Sequence, residues 1–196
     1  MPSKRASRVP SLSILSMAVV LAAGGFAQAG TIVERTLAFV NKRPVLLSDV
    51  ALTKALLGIE EKEALERTIE EVLMHEEASR LLSEPPAPEA VEAAVGALKE
   101  KAGPGFSDAA LTRKALVQLA IRGYIDIRLR PLVRVEDAEV RKVLSDKLAA
   151  EALPEAFSAM APEIRDRLER RALDQRIEEW VASLKRREEV RRPVSR

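Results

Sequence analysis

Hydrophobic and polar residues alternate along residues 32–47, a period of two that is typical of β-strands. The run Asn41-Lys42-Arg43-Pro44 interrupts the alternation and predicts a turn, followed by a second short strand over residues 45–47. The first strand has Val33, Arg35, Leu37 and Phe39 on one side, and Glu34, Thr36, Ala38 and Val40 on the other. The pattern therefore predicts an N-terminal β-hairpin over residues 32–47, which must pack on other elements because an isolated hairpin is only marginally stable.

Apolar spacings of three and four residues replace the alternation at Ser48 and continue to residue 187, which predicts helices. Ser48 is expected to be the N-cap of the first helix, and Ser107 that of a later helix that is apolar nearly all round. Pro154 and Pro162 are expected to bracket a loop before the last helix. The predicted helices span residues 48–57, 61–82, 89–101, 108–129, about 135–151 and 163–187.

The C-terminal segment, from about residue 189 to residue 194, has a strand-like composition. We expect it to join the hairpin as a third strand, at an edge of the sheet where Pro193 is tolerated. The predicted fold class is therefore mainly α, a helical module with an N-terminal β-hairpin joined by a short C-terminal strand.

The first thirty residues have the three parts of a secretory signal peptide. The start is basic, an apolar run covers residues 12–27, and the small residues Ala27 and Ala29 precede Gly30. An uncleaved anchor is the alternative, but the run is shorter than the ~20 residues that span a bilayer. We expect cleavage after Ala29, so that residues 1–29 are the signal peptide and residues 30–196 form a single periplasmic module with no integral membrane span.

The predicted cleavage changes the charge of the protein. The full chain has 32 basic and 30 acidic residues, a formal charge of +2. The signal peptide holds three of the basic residues and no acidic one, so the mature chain carries −1. The remaining basic run, from Lys185 to Arg192, is interrupted by Glu188 and Glu189 and suits a helix C-terminus. Nucleic acid is therefore not an expected partner.

Residues for catalysis are scarce in this chain. It has no cysteine and a single histidine, His75, and it lacks the GxGxxG, GxxxxGK[ST], GxSxG and HExxH motifs. The acidic pairs Glu70-Glu71 and Glu76-Glu77 are interpreted as solvated helix faces, His75 as a surface or hydrogen-bonded side chain, and Trp180 as a core residue. We therefore expect no enzyme, no catalytic residues, no metal site and no cofactor.

The hairpin segment resembles the start of SurA-type periplasmic chaperones. The positions that match the family signature are Ala38, Val40, Asn41, Val45, Ser48 and Asp49. Residues 68–78 resemble the long helix of that family, and residues 121–140 resemble its junction with the next domain. The resemblance covers most of residues 32–145, with a distinctive hairpin and generic helices. It implies a module in which the N-terminal segment and the C-terminal helix pack together around an elongated apolar groove.

Two features depart from the family pattern. Only 31 residues, from Leu132 to Pro162, stand where prolyl isomerase domains are often inserted, fewer than the ~50 of an independent domain. The usual aromatic pair after the junction is replaced by Lys142-Val143-Leu144. The resemblance therefore implies the chaperone core without an isomerase.

A chaperone core of this kind would bind unfolded exported or outer-membrane polypeptides and would not use ATP. Binding is expected because those polypeptides carry alternating apolar residues, which have no apolar partner until they reach lipid. The candidate peptide-binding residues are Phe106, Leu116, Leu119, Ile125 and Leu129. The same side chains are also interpretable as core residues of a central helix.

Two other functions are compatible with the same sequence. One is an exported helical adaptor or dimerisation module without client binding, for instance a homodimer that exchanges its terminal helix or strand. The other is a degenerate relative of the prolyl isomerases.

Overall fold

The computed structural model describes residues 34–82, 84–145 and 153–192, which form a mainly helical chain with one small sheet. The predicted signal peptide, with Ala27, Ala29 and Gly30, lies outside the described residues. The predicted fold class is confirmed. The elements are β1 (Thr36–Val40), β2 (Arg43–Leu46), α1 (Leu47–Leu57), α2 (Glu61–Leu81), α3 (Pro88–Ala102), α4 (Asp108–Tyr124), a π-helical turn (Ile125–Leu129), a 3₁₀ turn (Arg130–Leu132), α5 (Asp137–Ser145), α6 (Leu153–Arg187) and β3 (Val190–Arg191).

The three strands form an antiparallel sheet in the order β2-β1-β3, so the C-terminal strand joins the hairpin as predicted. Asn41 connects all three, because its φ of 53° makes the tight turn and its backbone N–H donates to the carbonyl oxygen of Glu189 at 2.8 Å. The turn is shorter than predicted, since Arg43 and Pro44 belong to β2. Pro44 lies on an edge strand, where its missing N–H breaks no interior ladder.

The prediction that Ser48 caps the first helix is wrong. Helix α1 begins one residue earlier, at Leu47, and Ser48 lies in its first turn. The Ser48 hydroxyl donates to Glu34 Oε2 at 2.9 Å, and the Ser48 backbone N–H also points to that carboxylate, at 3.4 Å from Oε1. Glu34 therefore supplies the acceptor at this helix N-terminus, a long-range contact that local sequence does not reveal.

The predicted loop between Pro154 and Pro162 is helical, so that prediction is also wrong. Pro154 is the second residue of α6, where a backbone N–H has no helical partner in any case. Pro162 lies inside the helix and removes one hydrogen bond. Ala161 and Ile164, on either side of it, are buried against α5, and this packing offsets the cost of the proline.

Three apolar clusters hold these elements together. The first joins the sheet, α1, α2 and the C-terminal half of α6, the second joins α1, α3 and α4, and the third joins α5 to the N-terminal half of α6. Their buried members include Val40, Val45, Ile69, Leu73 and Leu184 in the first, Leu52, Leu56, Leu98 and Leu111 in the second, and Val140, Leu144 and Ile164 in the third. Helix α4 packs on α3 through the second cluster and also contacts α2 and α6, and hollows remain between these contacts.

Candidate functional site

Three open cavities lie around α4. The α6-side cavity, of about 540 Å³, lies between α1, α2, α4 and α6. The hairpin-side cavity, of about 390 Å³, lies between β2, α1, α2 and α4. The proline-side cavity, of about 450 Å³, lies between α2, residues 84–86 and α4. Each is within the size range of ligand-binding cavities.

The five predicted peptide-binding residues are distributed among different surroundings. Leu116, which is 38% exposed, and Leu119 line the proline-side cavity together, and Leu116 also lines the hairpin-side cavity. Ile125 lines the α6-side cavity. Phe106 packs on the second cluster and Leu129 is buried, and neither lines any of the three cavities. The structure therefore has a series of cavities around α4 where one continuous groove is predicted.

Neighbouring cavities share side chains in their walls. Glu71 and Lys114 line both the α6-side and the hairpin-side cavities. His75 and Leu116 line both the hairpin-side and the proline-side cavities. The three cavities are therefore neighbours along α4, each divided from the next by the side chains that they share.

A polar network separates the first two cavities. The Lys114 ammonium donates to the Glu71 carboxylate and, at 2.9 Å, to Thr53 Oγ1. Thr68 Oγ1 lies 3.0 Å from Thr53 Oγ1 and 2.7 Å from the Ala64 carbonyl oxygen. A carbonyl oxygen only accepts, so the Thr68 hydroxyl donates to Ala64 and accepts from Thr53. The network is thus a directed chain from Lys114 through two hydroxyls to the backbone.

Burial governs the charge state of this network. The side chains of Lys114 and Glu71 are 10% and 15% exposed. Desolvation raises the pKa of Glu71 above its ordinary value, while the Lys114 cation opposes that rise. Sequence reasoning missed this pair because its members are 43 residues apart on different helices. The available signal was the spacing of Lys114, three residues after the buried Leu111 and so on the same helix face.

His75 has a defined tautomer. Arg43 Nη1 lies 2.8 Å from His75 Nδ1, and a guanidinium has only donors, so Nδ1 carries the lone pair. The remaining ring nitrogen, Nε2, then bears the proton and lies 3.4 Å from Ser79 Oγ. Desolvation and the Arg43 charge lower the pKa of His75, and Glu76 partly opposes them. His75 is therefore a hydrogen-bonded neutral side chain at the mouth of the hairpin-side cavity.

We expect His75→Gln to remove part of the acid sensitivity of the fold. The folded protein resists protonation of His75, so between its lowered pKa and the unfolded value of 6.5 the unfolded chain binds more protons. The stability that the neutral His75 ring contributes is therefore fully present above pH 6.5. It is lost as the pH falls toward the pKa of His75 in the folded protein. Glutamine keeps an acceptor for Arg43 but does not titrate. Urea unfolding of both proteins at pH values above and below 6.5 measures the difference.

Glu71 has the opposite effect on how stability changes with pH, and it is present both in wild type and in His75→Gln. Its raised pKa makes the folded state bind the extra proton, so its contribution grows on acidification. The difference between wild type and His75→Gln therefore isolates the histidine. Equal losses of stability in the two proteins on acidification would contradict the assignment of a neutral, desolvated ring.

The acidic and basic runs of the sequence pair with each other. Lys185 Nζ contacts Glu70 at 2.7 Å and Arg187 contacts Glu77 at 3.1 Å, both between α6 and α2. Arg192 also pairs with Glu66. Trp180 of α6 stacks on Tyr124 of α4 with ring centroids 4.5 Å apart. These contacts hold α6 against the helices that line the cavities.

Within residues 34–82, 84–145 and 153–192, no cluster of three or more histidine, cysteine or acidic side chains has the arrangement of a metal site. In the same part of the chain, no helix combines the length and the apolar character needed to cross a bilayer. Comparison with protein-family models, curated protein sequences and solved structures finds no match to this chain. The resemblance to SurA-type chaperones stays a prediction that rests on the residues given above.

Proposed function

We propose that this chain is an ATP-independent periplasmic chaperone or assembly factor that binds unfolded exported or outer-membrane polypeptides. The observation that carries the proposal is the row of three adjacent cavities around α4. The contact of the C-terminal helix and strand with the N-terminal hairpin supports it, because Leu184 shares a cluster with Val40 and Val45. This is the packing of termini that the resemblance implies.

The walls of the cavities suit apolar side chains. The α6-side cavity is bordered by aliphatic side chains from three helices and the π-helical turn, and the hairpin-side cavity by aliphatic side chains and a proline. An extended polypeptide places alternate side chains on opposite sides, and outer-membrane strands alternate apolar with polar residues. Such a segment can seat one apolar residue in a cavity while the next faces solvent. The aliphatic members are Leu56, Leu57, Ile121, Ile125, Leu173 and Ile177 in the first cavity, and Leu52, Val72, Leu116 and Val117 in the second.

The polar network gives the backbone of a bound segment a partner. An ammonium has three donors, and within the described residues two of those of Lys114 reach Thr53 and Glu71. The third is available to a client carbonyl, which needs a partner once it leaves water. Backbone contacts of this kind do not depend on client sequence. Binding is therefore expected to be broad in specificity and weak, as a chaperone without ATP requires for release.

We expect purified residues 30–196, in molar excess, to slow the aggregation of a urea-unfolded outer-membrane protein after dilution. Leu116→Glu places a charge where two cavities meet and should weaken client binding by about tenfold, since burying a leucine side chain contributes ~1.5–3 kcal/mol. Light scattering of the diluted client over time measures the effect.

The matched control is Leu81→Glu, because Leu81 is 42% exposed and lines none of the three cavities. The Leu81→Glu protein should slow client aggregation to the same extent as wild type. The proposal fails if wild type leaves the aggregation rate unchanged, or if both variants lose activity equally. Static light scattering of the same preparation gives its molar mass and so tests the adaptor function. That function predicts a dimer in which the cavities are covered.

A further inference from the structure

Residues 127–135, which contain the end of the π-helical turn and the 3₁₀ turn after α4, combine exposed aliphatic and basic side chains. Ile127 is 57% exposed and Leu132 is 61% exposed, the largest exposures of large hydrophobic side chains in the described residues. Neither lines any of the three cavities. We name this segment the basic turn.

The basic turn is positively charged and lies between acidic residues, Asp126 before it and Glu136 and Asp137 after it. It contains three arginines and no acidic residue, so it carries +3, while the rest of the predicted mature chain carries −4. Arg130 pairs with Asp126 at 2.8 Å. For Arg128 and Arg134, which are both exposed, the described residues provide no carboxylate within 4.0 Å. Two guanidinium groups of this segment thus have no acidic partner among the described residues, and the same segment holds two exposed aliphatic side chains.

The two helical turns keep Ile127, Arg128 and Leu132 close together. Eight residues from Ile125 to Leu132 rise by less than about 16 Å, even at the ~2.0 Å per residue of a 3₁₀ helix. The Arg130 backbone N–H donates to the Ile125 carbonyl oxygen, which closes the π-helical turn. Leu129 is buried and fixes the turn to the protein, so Ile127 and Leu132 project from an anchored base.

We propose that the basic turn docks this protein on an anionic lipid surface. Arginines beside exposed aliphatic side chains are the composition of segments that lie in a membrane interface, where the cations meet anionic headgroups and the aliphatic groups enter the acyl boundary. The aliphatic groups project and line no groove, which suits insertion into a fluid layer. An acidic protein partner would need a surface shaped to fit these projecting side chains, whereas a fluid lipid layer does not. We therefore take an anionic lipid surface as the partner. Ile127 and Leu132 line none of the three cavities, so the test of docking is separate from the test of the proposed chaperone activity.

Sedimentation with vesicles tests the proposal on residues 30–196. We expect binding to vesicles that contain phosphatidylglycerol and none to vesicles of phosphatidylcholine alone, with binding reduced by added salt because salt screens exposed charges. Arg128→Gln with Arg134→Gln should lower the partition coefficient by about 25-fold, near fivefold for each arginine. Leu132→Ser should lower it by about tenfold without changing the charge.

The control is Arg167→Gln with Arg171→Gln, two exposed arginines of α6 that give the same change of net charge. It should bind anionic vesicles nearly as well as wild type, and circular dichroism should show all variants folded. Equal loss in this control would overturn the proposal, since net charge alone would then explain binding. Binding to phosphatidylcholine equal to that to phosphatidylglycerol would also overturn it. So would a wild-type dimer that Leu132→Ser converts to a monomer, because the turn would then contact a second copy of the chain.

Discussion

Replacing Leu184 with alanine is expected to lower the free energy of unfolding by about 2–5 kcal/mol, the range for leucine-to-alanine changes in a packed core. Leu184 is 1% exposed and lies near the end of α6, yet its cluster consists of residues from the sheet, α1 and α2. Its removal leaves a cavity at the contact between α6 and the N-terminal hairpin. A small domain has only ~5–15 kcal/mol of stability, so the loss is a large fraction of the total.

Leu81→Ala is the matched control for this change. It removes the same atoms from another helix, but Leu81 is 42% exposed, and the expected loss is within about 0.5 kcal/mol. Urea unfolding followed by circular dichroism gives both values. A Leu184→Ala protein as stable as Leu81→Ala would show that α6 does not pack on the hairpin, and it would remove the structural support for the proposed chaperone module.

Local patterns predicted the elements whose boundaries are determined locally. Helix α2 was expected over residues 61–82 and spans Glu61–Leu81, because its apolar stripe contains Ile69 and Leu73 and prolines follow it. Ser107 caps α4 as predicted, accepting from the Ala110 backbone N–H at 3.2 Å. The wrong predictions at Ser48 and Pro162 concern regions whose structure is not determined locally. Glu34 and helix α5 determine those regions through tertiary contacts, and periodicity within a segment carries no information about them.

The candidate site was predictable only in part for the same reason. The apolar excess of α4 pointed to Leu116, Leu119 and Ile125, and these side chains do line cavities. The opposite walls come from β2, α1, α2 and α6, which are distant in sequence. The sequence pattern therefore indicated one helix of the site but gave neither the division into three cavities nor the polar network between them.

Lys114→Met is expected to lower the free energy of unfolding by about 3–5 kcal/mol at neutral pH, the usual cost of breaking a buried ion pair by removing one partner. Methionine fills a similar volume, so the loss reports charge and hydrogen bonding more than packing. The Glu71 side chain, which is only 15% exposed, would lose its cation, and Thr53 Oγ1 would lose the ammonium donor.

The dependence on pH and a double variant distinguish this cause from a general loss of packing. Without Lys114 the pKa of Glu71 rises further, so the folded state takes up a proton at a pH where the unfolded chain does not, and the destabilisation shrinks as the pH falls. Lys114→Met combined with Glu71→Gln should be more stable at neutral pH than Lys114→Met alone, because no buried charge is left unpaired. Urea unfolding across pH measures both effects. A loss that is constant with pH, or a double variant no more stable than the single one, would mean that Lys114 supports the wall between the cavities by its volume rather than by its charge.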